Sequence, residues 1–166
     1  MSALVLIELN GSEVSANSRA AITAASQLSD TIDALVLTND IDNASQTSSL
    51  EGLSSVKVIV NDELEHACVE VASGLIAEVM ASYDYLVAGS STYSKNIVPR
   101  VGALLDFQPI SDVCEIKSKN TFVRPLYAGN IMATVESSDA KVLMTVRSTS
   151  FEHSQDGGSA AIEELS

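Results

Sequence analysis

Gly89, Lys95, Arg100, Asp112, Arg124 and Arg147 carry most of the chemistry this chain could offer. The first two belong to Gly89-Ser90-Ser91-Thr92-Tyr93-Ser94-Lys95-Asn96, whose Gly-to-Lys spacing fits a Walker-type phosphate loop between a strand and a helix. Such a loop surrounds phosphate with backbone N–H groups, and it needs a glycine before the lysine and a metal-binding hydroxyl after it. Ser94 and Asn96 stand at those two places. A structural turn with a solvated Lys95 is the better account. The other four, with Asp106, lie among apolar neighbours, where an unpaired buried charge is costly and arginines need carboxylate or carbonyl partners. Arg147 ends a strand-like run and can also be solvated. Fold-fixing ion pairs or a docking surface suit this set better than catalysis.

Other chemistries find no support. No G-x-G-x-x-G follows the first strand, where Leu9-Asn10-Gly11-Ser12 lacks the later glycines of a dinucleotide site. No G-x-S-x-G elbow occurs, and neither His66 nor His153 follows a suitable acidic partner at a strand end. Cys68 and Cys114 are too few for a disulfide framework and have no zinc spacing with the histidines. Cys68 falls on the apolar stripe of a predicted helix and Cys114 in a predicted strand, so both are expected as buried free thiols; the histidines are expected at the surface. No catalytic, cofactor-binding or metal-ligating residue is assigned.

The elements that must position these residues alternate. Ala3 to Leu9 is a near-continuous apolar run of strand length, as a central parallel strand requires. Ala20, Ala21, Ala24, Ala25 and Leu28 then recur at helical spacing. Ile32–Leu37, Val56–Val60 and Tyr85–Ala88 are the next strands, with a weaker helix over Asp42–Leu50. Asp62 and Glu65 form a capping-box pattern before a helix expected to bury Leu64, Cys68, Val71, Leu75, Ile76 and Val79 and to expose Glu63, Glu70 and Glu78. Pro99 is expected in the first turn of the helix after Gly89. This order predicts an α/β fold, a Rossmann-like doubly wound parallel sheet covered on both faces. Beyond Asp106, Ile110–Ile116, Thr121–Tyr127, Ile131–Val135 and Lys141–Val146 have short connections and are predicted as antiparallel hairpins appended to that sheet. Residues 1–152 are expected as one domain. Residues 153–166, with Gln155-Asp156-Gly157-Gly158-Ser159, have the composition of a linker or tail.

The 166 residues suffice for a substantial core, and although 46% are apolar no run approaches the ~20 needed to span a membrane. Ser2 to Leu9 lacks a basic n-region, so no secretory signal is expected. Acidic residues outnumber basic ones 22 to 9, for a net charge of -13. That balance disfavours nucleic-acid binding and equally serves solubility.

Longer stretches are more specific. Tyr85-Leu86-Val87-Ala88, Lys95-Asn96, Pro99-Arg100-Val101, Ala103-Leu104-Leu105-Asp106, Ile110-Ser111-Asp112-Val113, Thr121 through Asn130, Ala133-Thr134-Val135 and Val146-Arg147 together resemble the N-terminal domain of the electron transfer flavoprotein alpha subunit. The resemblance covers nearly the whole chain; Ser94 departs from the glycine usual before that lysine. It implies an adenine-nucleotide alpha-hydrolase-like fold and an alpha–beta heterodimer carrying one FAD. That heterodimer takes electrons from acyl-CoA and other dehydrogenases, as in fatty acid β-oxidation, and passes them to a membrane quinone oxidoreductase. It implies a bacterial cytoplasmic location, or the mitochondrial matrix in a eukaryote, without membrane insertion. In the family a second, C-terminal domain supplies most FAD contacts, and no residues follow Ser166, so no FAD is expected on this chain alone. The expected role is a scaffold that docks the beta subunit and supports the FAD domain, with Arg100, Asp112, Arg124 and Arg147 as structural or interface residues. The alternative is a stand-alone adenine-nucleotide-binding domain, its ligand at the carboxyl ends of the first and fourth strands and served by Gly89 and Lys95.

Overall fold

The computed structural model describes residues 1–66 and 68–166. Along them run β1 (Ser2–Ile7), the short pair β2 (Leu9–Asn10) and β3 (Glu13–Val14), α1 (Ala16–Ser26), β4 (Thr31–Thr38), α2 (Ser45–Ser48), β5 (Ser55–Val60), α3 (Val69–Val79), β6 (Tyr85–Gly89), α4 (Thr92–Leu105), β7 (Ile110–Val113), β8 (Glu115–Ile116), β9 (Thr121–Leu126), β10 (Ile131–Glu136), β11 (Val142–Val146) and β12 (Ala161–Leu165). Seven strands form one parallel sheet in the order β12-β5-β4-β1-β6-β11-β7. The doubly wound α/β architecture is as expected.

β1 shows why the sheet forms. Five of its six residues are buried, and successive side chains point to opposite faces. Ala3, Val5 and Ile7 share a core with Ala20, Ala21, Ala24, Ala25 and Leu28 of α1 and the turn after it. Leu4 and Leu6 share the other core with Ile76 of α3 and Ile97, Val98 and Val101 of α4. Each larger side chain so buried contributes about 1.5–3 kcal/mol. The alanine face lets α1 lie close, and Gly89 permits the closest approach. A Cβ at Gly89 would stand 2.5 Å from both Cβ and the carbonyl oxygen of Asn17.

The strands after Asp106 follow the expected hairpins only in part. Of them, β8, β9 and β10 form the antiparallel sheet, with β9 in its middle. β7 and β11 are parallel members of the main sheet, and β11 inserts between β6 and β7. The physical reason is length. The excursion through β8–β10 is long enough to act as a crossover, so β11 returns in the direction of β7.

Several local expectations also shift. Pro99 lies well inside α4, not in its first turn, because Ser91 starts the helix by accepting a hydrogen bond from Ser94 N at 3.1 Å. The carbonyl that Pro99 leaves without a helical donor belongs to Lys95, and both residues are exposed. The weak helix at 42–50 is a 3₁₀ turn over Ile41–Ala44 followed by the single turn of α2. At 62–66 there is a 3₁₀ turn whose first N–H groups are met by Asn61, its Oδ1 accepting from Glu63 N, so Asp62 is not the cap. The long helix begins only at Val69, with Cys68 as a cap whose side chain accepts no helix N–H and instead donates to Glu70 Oε2 at 3.7 Å. Leu64 and Ile76 are buried and Glu63, Glu70 and Glu78 exposed as expected, but Val71, Leu75 and Val79 are half-buried. Cys68 and Cys114 are free but half-buried rather than buried, since each sits at an element boundary. His153 is exposed, and the side chain of His66 lies outside the described residues.

The segment with linker composition is docked. Gly157 N and Gly158 N both donate to Ser49 O, Glu51 N donates to Gln155 O, and Arg19 donates to Ser154 O and Asp156. A Cβ at Gly158 would fall 2.1 Å from Leu50 O, so the glycine is there for contact. β12 then pairs in parallel with β5, with Lys57 bonded to Glu163 across the pair.

Candidate functional site

The insertion of β11 brings together residues far apart in sequence. β7 carries one residue more than its partner: Ile110 faces Met144 and Val113 faces Val146. The extra residue makes a bulge, and within it Asp112 adopts φ 57, where few residues other than Gly, Asn and Asp are comfortable. Its N–H donates to Thr145 Oγ1 at 3.0 Å. Its carboxylate meets Lys95 of α4 at 3.3 Å. Arg124 of β9 reaches across β7, donating from Nε to Ser111 O at 3.0 Å and from Nη2 to Ser111 Oγ at 2.9 Å. Arg147 leaves the end of β11, its N–H bonded to Val113 O, and its side chain is exposed.

These four residues line one cavity of about 480 Å³, closed on its far side by Pro125 to Gly129. Three cations thus face one carboxylate, a positive spot on a strongly acidic chain. Burial pulls the Asp112 carboxyl upward, but the Ser90 hydroxyl, the Lys95 ammonium and the Arg147 charge outweigh it and hold the group below its ordinary value. Ser90 Oγ is buried without a hydrogen-bond partner of ordinary geometry, so it acts as a nearby dipole and the lysine does the pairing. The backbone is strained at the same place. Tyr127, Ala128 and Gly129 have φ of 48, 53 and 90 in succession, so three of the four non-glycine residues at positive φ among the described residues, Asp112 included, line this cavity.

The other candidates lie elsewhere. Arg100 reaches Glu70 at 3.8 Å on the exposed side of α4 and α3. Asp106 is the left-handed cap that ends α4. Gly89 serves the packing of α1. In the turn it begins, Ser90 N donates to Val146 O, Ser91 N to Gly89 O, Ser94 N to Ser91 Oγ and Lys95 N to Ser91 O. Protein acceptors thus occupy four of the N–H groups a phosphate loop would present, leaving those of Thr92 and Tyr93.

A second cavity, of about 490 Å³, opens at the carboxyl ends of β1 and β4 and includes Glu8, Asn39, Asn43, Glu65 and Tyr93. Glu8 Oε2 is buried there without a partner. Burial, then the Glu8 charge, push the Tyr93 phenol up. Neither this acidic cavity nor the Gly89–Lys95 turn offers a cradle for a pyrophosphate. Among the described residues no group of three or more His, Cys, Asp or Glu is placed to hold a metal.

The Tyr127–Gly129 turn and the exposed Tyr127, Ile131 and Met132 beside it were not singled out as site residues by sequence reasoning. The adjacent Gly129-Asn130, both tolerant of positive φ, was the available signal.

The electron transfer flavoprotein domain model matches residues 3–166. The chain is 39% identical to an electron transfer flavoprotein subunit alpha of Pseudomonas aeruginosa, over 100% of this chain and 54% of that one. It is 36% identical to a chain from Caenorhabditis elegans named as a mitochondrial subunit alpha, over 98% and 50%. With the Paracoccus denitrificans subunit alpha the identity is 37%, over 73% of this chain and 39% of that one. The chain therefore spans about half the length of the first two relatives.

Proposed function

The chain belongs to the electron transfer flavoprotein family, and on that premise we propose that it is the N-terminal scaffold domain of an alpha subunit. In this reading it docks a beta subunit and supports a separate FAD domain. The assembled protein shuttles electrons from acyl-CoA or other dehydrogenases to a quinone oxidoreductase, in the bacterial cytoplasm or the mitochondrial matrix. The chain is then part of an electron carrier and does no bond chemistry of its own. No helix among the described residues is long and apolar enough to cross a membrane.

The observation that carries the reading is the uncovered β10 end of the small antiparallel sheet, which exposes large apolar side chains. Tyr127, Ile131 and Met132 are 75%, 49% and 55% exposed, Tyr127 in the turn before β10 and Ile131 and Met132 on its two opposite faces. β10 is also an open edge, which proteins normally cover. Interfaces favour these residue types. The nucleotide-binding alternative draws no such support, because Lys95 faces Asp112 and the cavity beside β1 is acidic.

Co-expression with the beta subunit encoded by the same genome tests the reading. Sedimentation should show a stable heterodimer, and a chain that stays monomeric beside the beta subunit would remove the scaffold role. Thermal unfolding in AMP or ATP tests the alternative. A ligand at 100 times its dissociation constant raises stability by about 2.7 kcal/mol, and neither the natural chain nor Lys95→Ala should shift.

A further inference from the structure

We propose that the Lys95–Asp112–Arg124–Arg147 cavity receives a carboxylate from the protein partner, which enters between Arg124 and Arg147. The inference rests on the scaffold reading and names the anchor of that contact. Its first support is charge. Lys95 is satisfied by Asp112, whereas among the described residues no carboxylate is paired with Arg124 or Arg147. Arg124 spends two N–H groups on Ser111 and keeps others of its five for a further acceptor.

The second support is preorganisation. Ser111 fixes the plane of Arg124 from both its carbonyl and its hydroxyl, and the bulge at Asp112 fixes Lys95. A guanidinium held in place loses little freedom when a carboxylate arrives, and fork-shaped pairing favours arginine over lysine for this task. The strained turn Tyr127–Gly129 forms one wall and would be a cost without return if the cavity had no occupant.

The third support decides the kind of occupant. The cavity opens beside Tyr127, and its Pro125 and Leu126 pair with the exposed Met132 and Ile131. A cationic cleft lined by Tyr127 and Leu126, with exposed Ile131 paired beside Leu126 on the face of Arg124, is built like the centre of a protein interface, where an anchored charge is ringed by groups that exclude water. On a chain of net charge -13 this is also where an acidic side chain meets attraction instead of repulsion, which orients the encounter.

The test compares affinity for the co-expressed beta subunit among the natural chain, Arg147→Gln, Arg147→Glu and Arg100→Gln, each first checked by thermal unfolding. Arg147 is exposed without a side-chain partner, so its variants should melt with the natural chain. Arg147→Gln should weaken binding by about tenfold or more, which is 1.4 kcal/mol, and Arg147→Glu further; Arg100→Gln, away from the cavity, should match the natural chain. Binding should weaken with added NaCl, less steeply for Arg147→Gln. Equal binding by all variants would overturn the cavity assignment and leave the scaffold reading standing. Failure of the natural chain to bind would remove both. Should inorganic phosphate stabilise the natural chain but not Arg147→Gln, while beta-subunit affinity stays equal among the variants, the cavity is a small-oxyanion site and the proposal fails.

Discussion

Asp112 and Gly89 show two ways in which a residue read as chemical turns out to be structural in part. Asp112 tolerates positive φ and holds Lys95, and its carboxyl is kept below its ordinary value. A group whose folded pKa lies below the unfolded one stabilises above the unfolded value, near 3.9 for Asp, and loses that contribution as the pH falls through the folded value. Asp112→Asn keeps the backbone preference and removes the charge. We expect it to cost up to about 1 kcal/mol at neutral pH, because the pair is partly exposed, and the cost to fade in acid. Urea unfolding of both proteins at several pH values measures this; a difference that grows in acid would refute it. Gly89→Ala asks a different question. With Asn17 only 2.5 Å from the added Cβ, overpacking should cost about 1–3 kcal/mol, read as a lower urea midpoint at unchanged slope. A neutral result would return Gly89 to a loop role.

Among the elements, those with one unambiguous pattern were legible. β1, β6 and β11 are near-continuous apolar runs buried on both faces, and α1 repeats alanine at helical spacing; local sequence determines each. What failed was pairing. The short connection at residues 117–120 did close a hairpin of β8 with β9, yet β11 skipped those neighbours to enter the main sheet beside β7, a choice made by tertiary packing. β12 failed for the opposite reason. Its sequence Ala161-Ile162-Glu163-Glu164-Leu165 has little apolar drive and is mostly exposed, so it is held by backbone pairing and by the docked glycines before it. Gly158→Ala puts a Cβ against Leu50 O and should release this segment. Amide hydrogen exchange should then quicken over Ser55–Ile59 and Ala161–Leu165 while β1 and β6 stay protected. Unchanged protection of β5 would mean that β12 contributes nothing to it.

For the molecule taken together, fold class and family were readable from the chain, and the cavity was not. Lys95, Asp112, Arg124 and Arg147 come from α4, the β7 bulge, β9 and the end of β11, and no local pattern announces their meeting. Arg100, an equally good candidate by sequence, sits apart from them. The scaffold reading also predicts a spectrum. Purified alone, the chain should be colourless after gel filtration in the presence of FAD, because four N–H groups of its Gly89–Lys95 turn are already engaged and its larger cavity is acidic. Flavin absorbance that travels with the protein would contradict this.

The slot that β11 fills has a consequence during synthesis. β6 is apolar and buried throughout in the finished sheet, yet its outer neighbour is translated only after β7 and the whole β8–β10 excursion. At 5–20 residues per second the ribosome needs on the order of a few seconds to cover that interval. Throughout it the nascent chain presents a bare apolar strand edge. A ribosome stalled before Val142 would therefore display a ready template for aggregation, and chaperone occupancy on such arrested chains should drop once Val146 has cleared the exit tunnel.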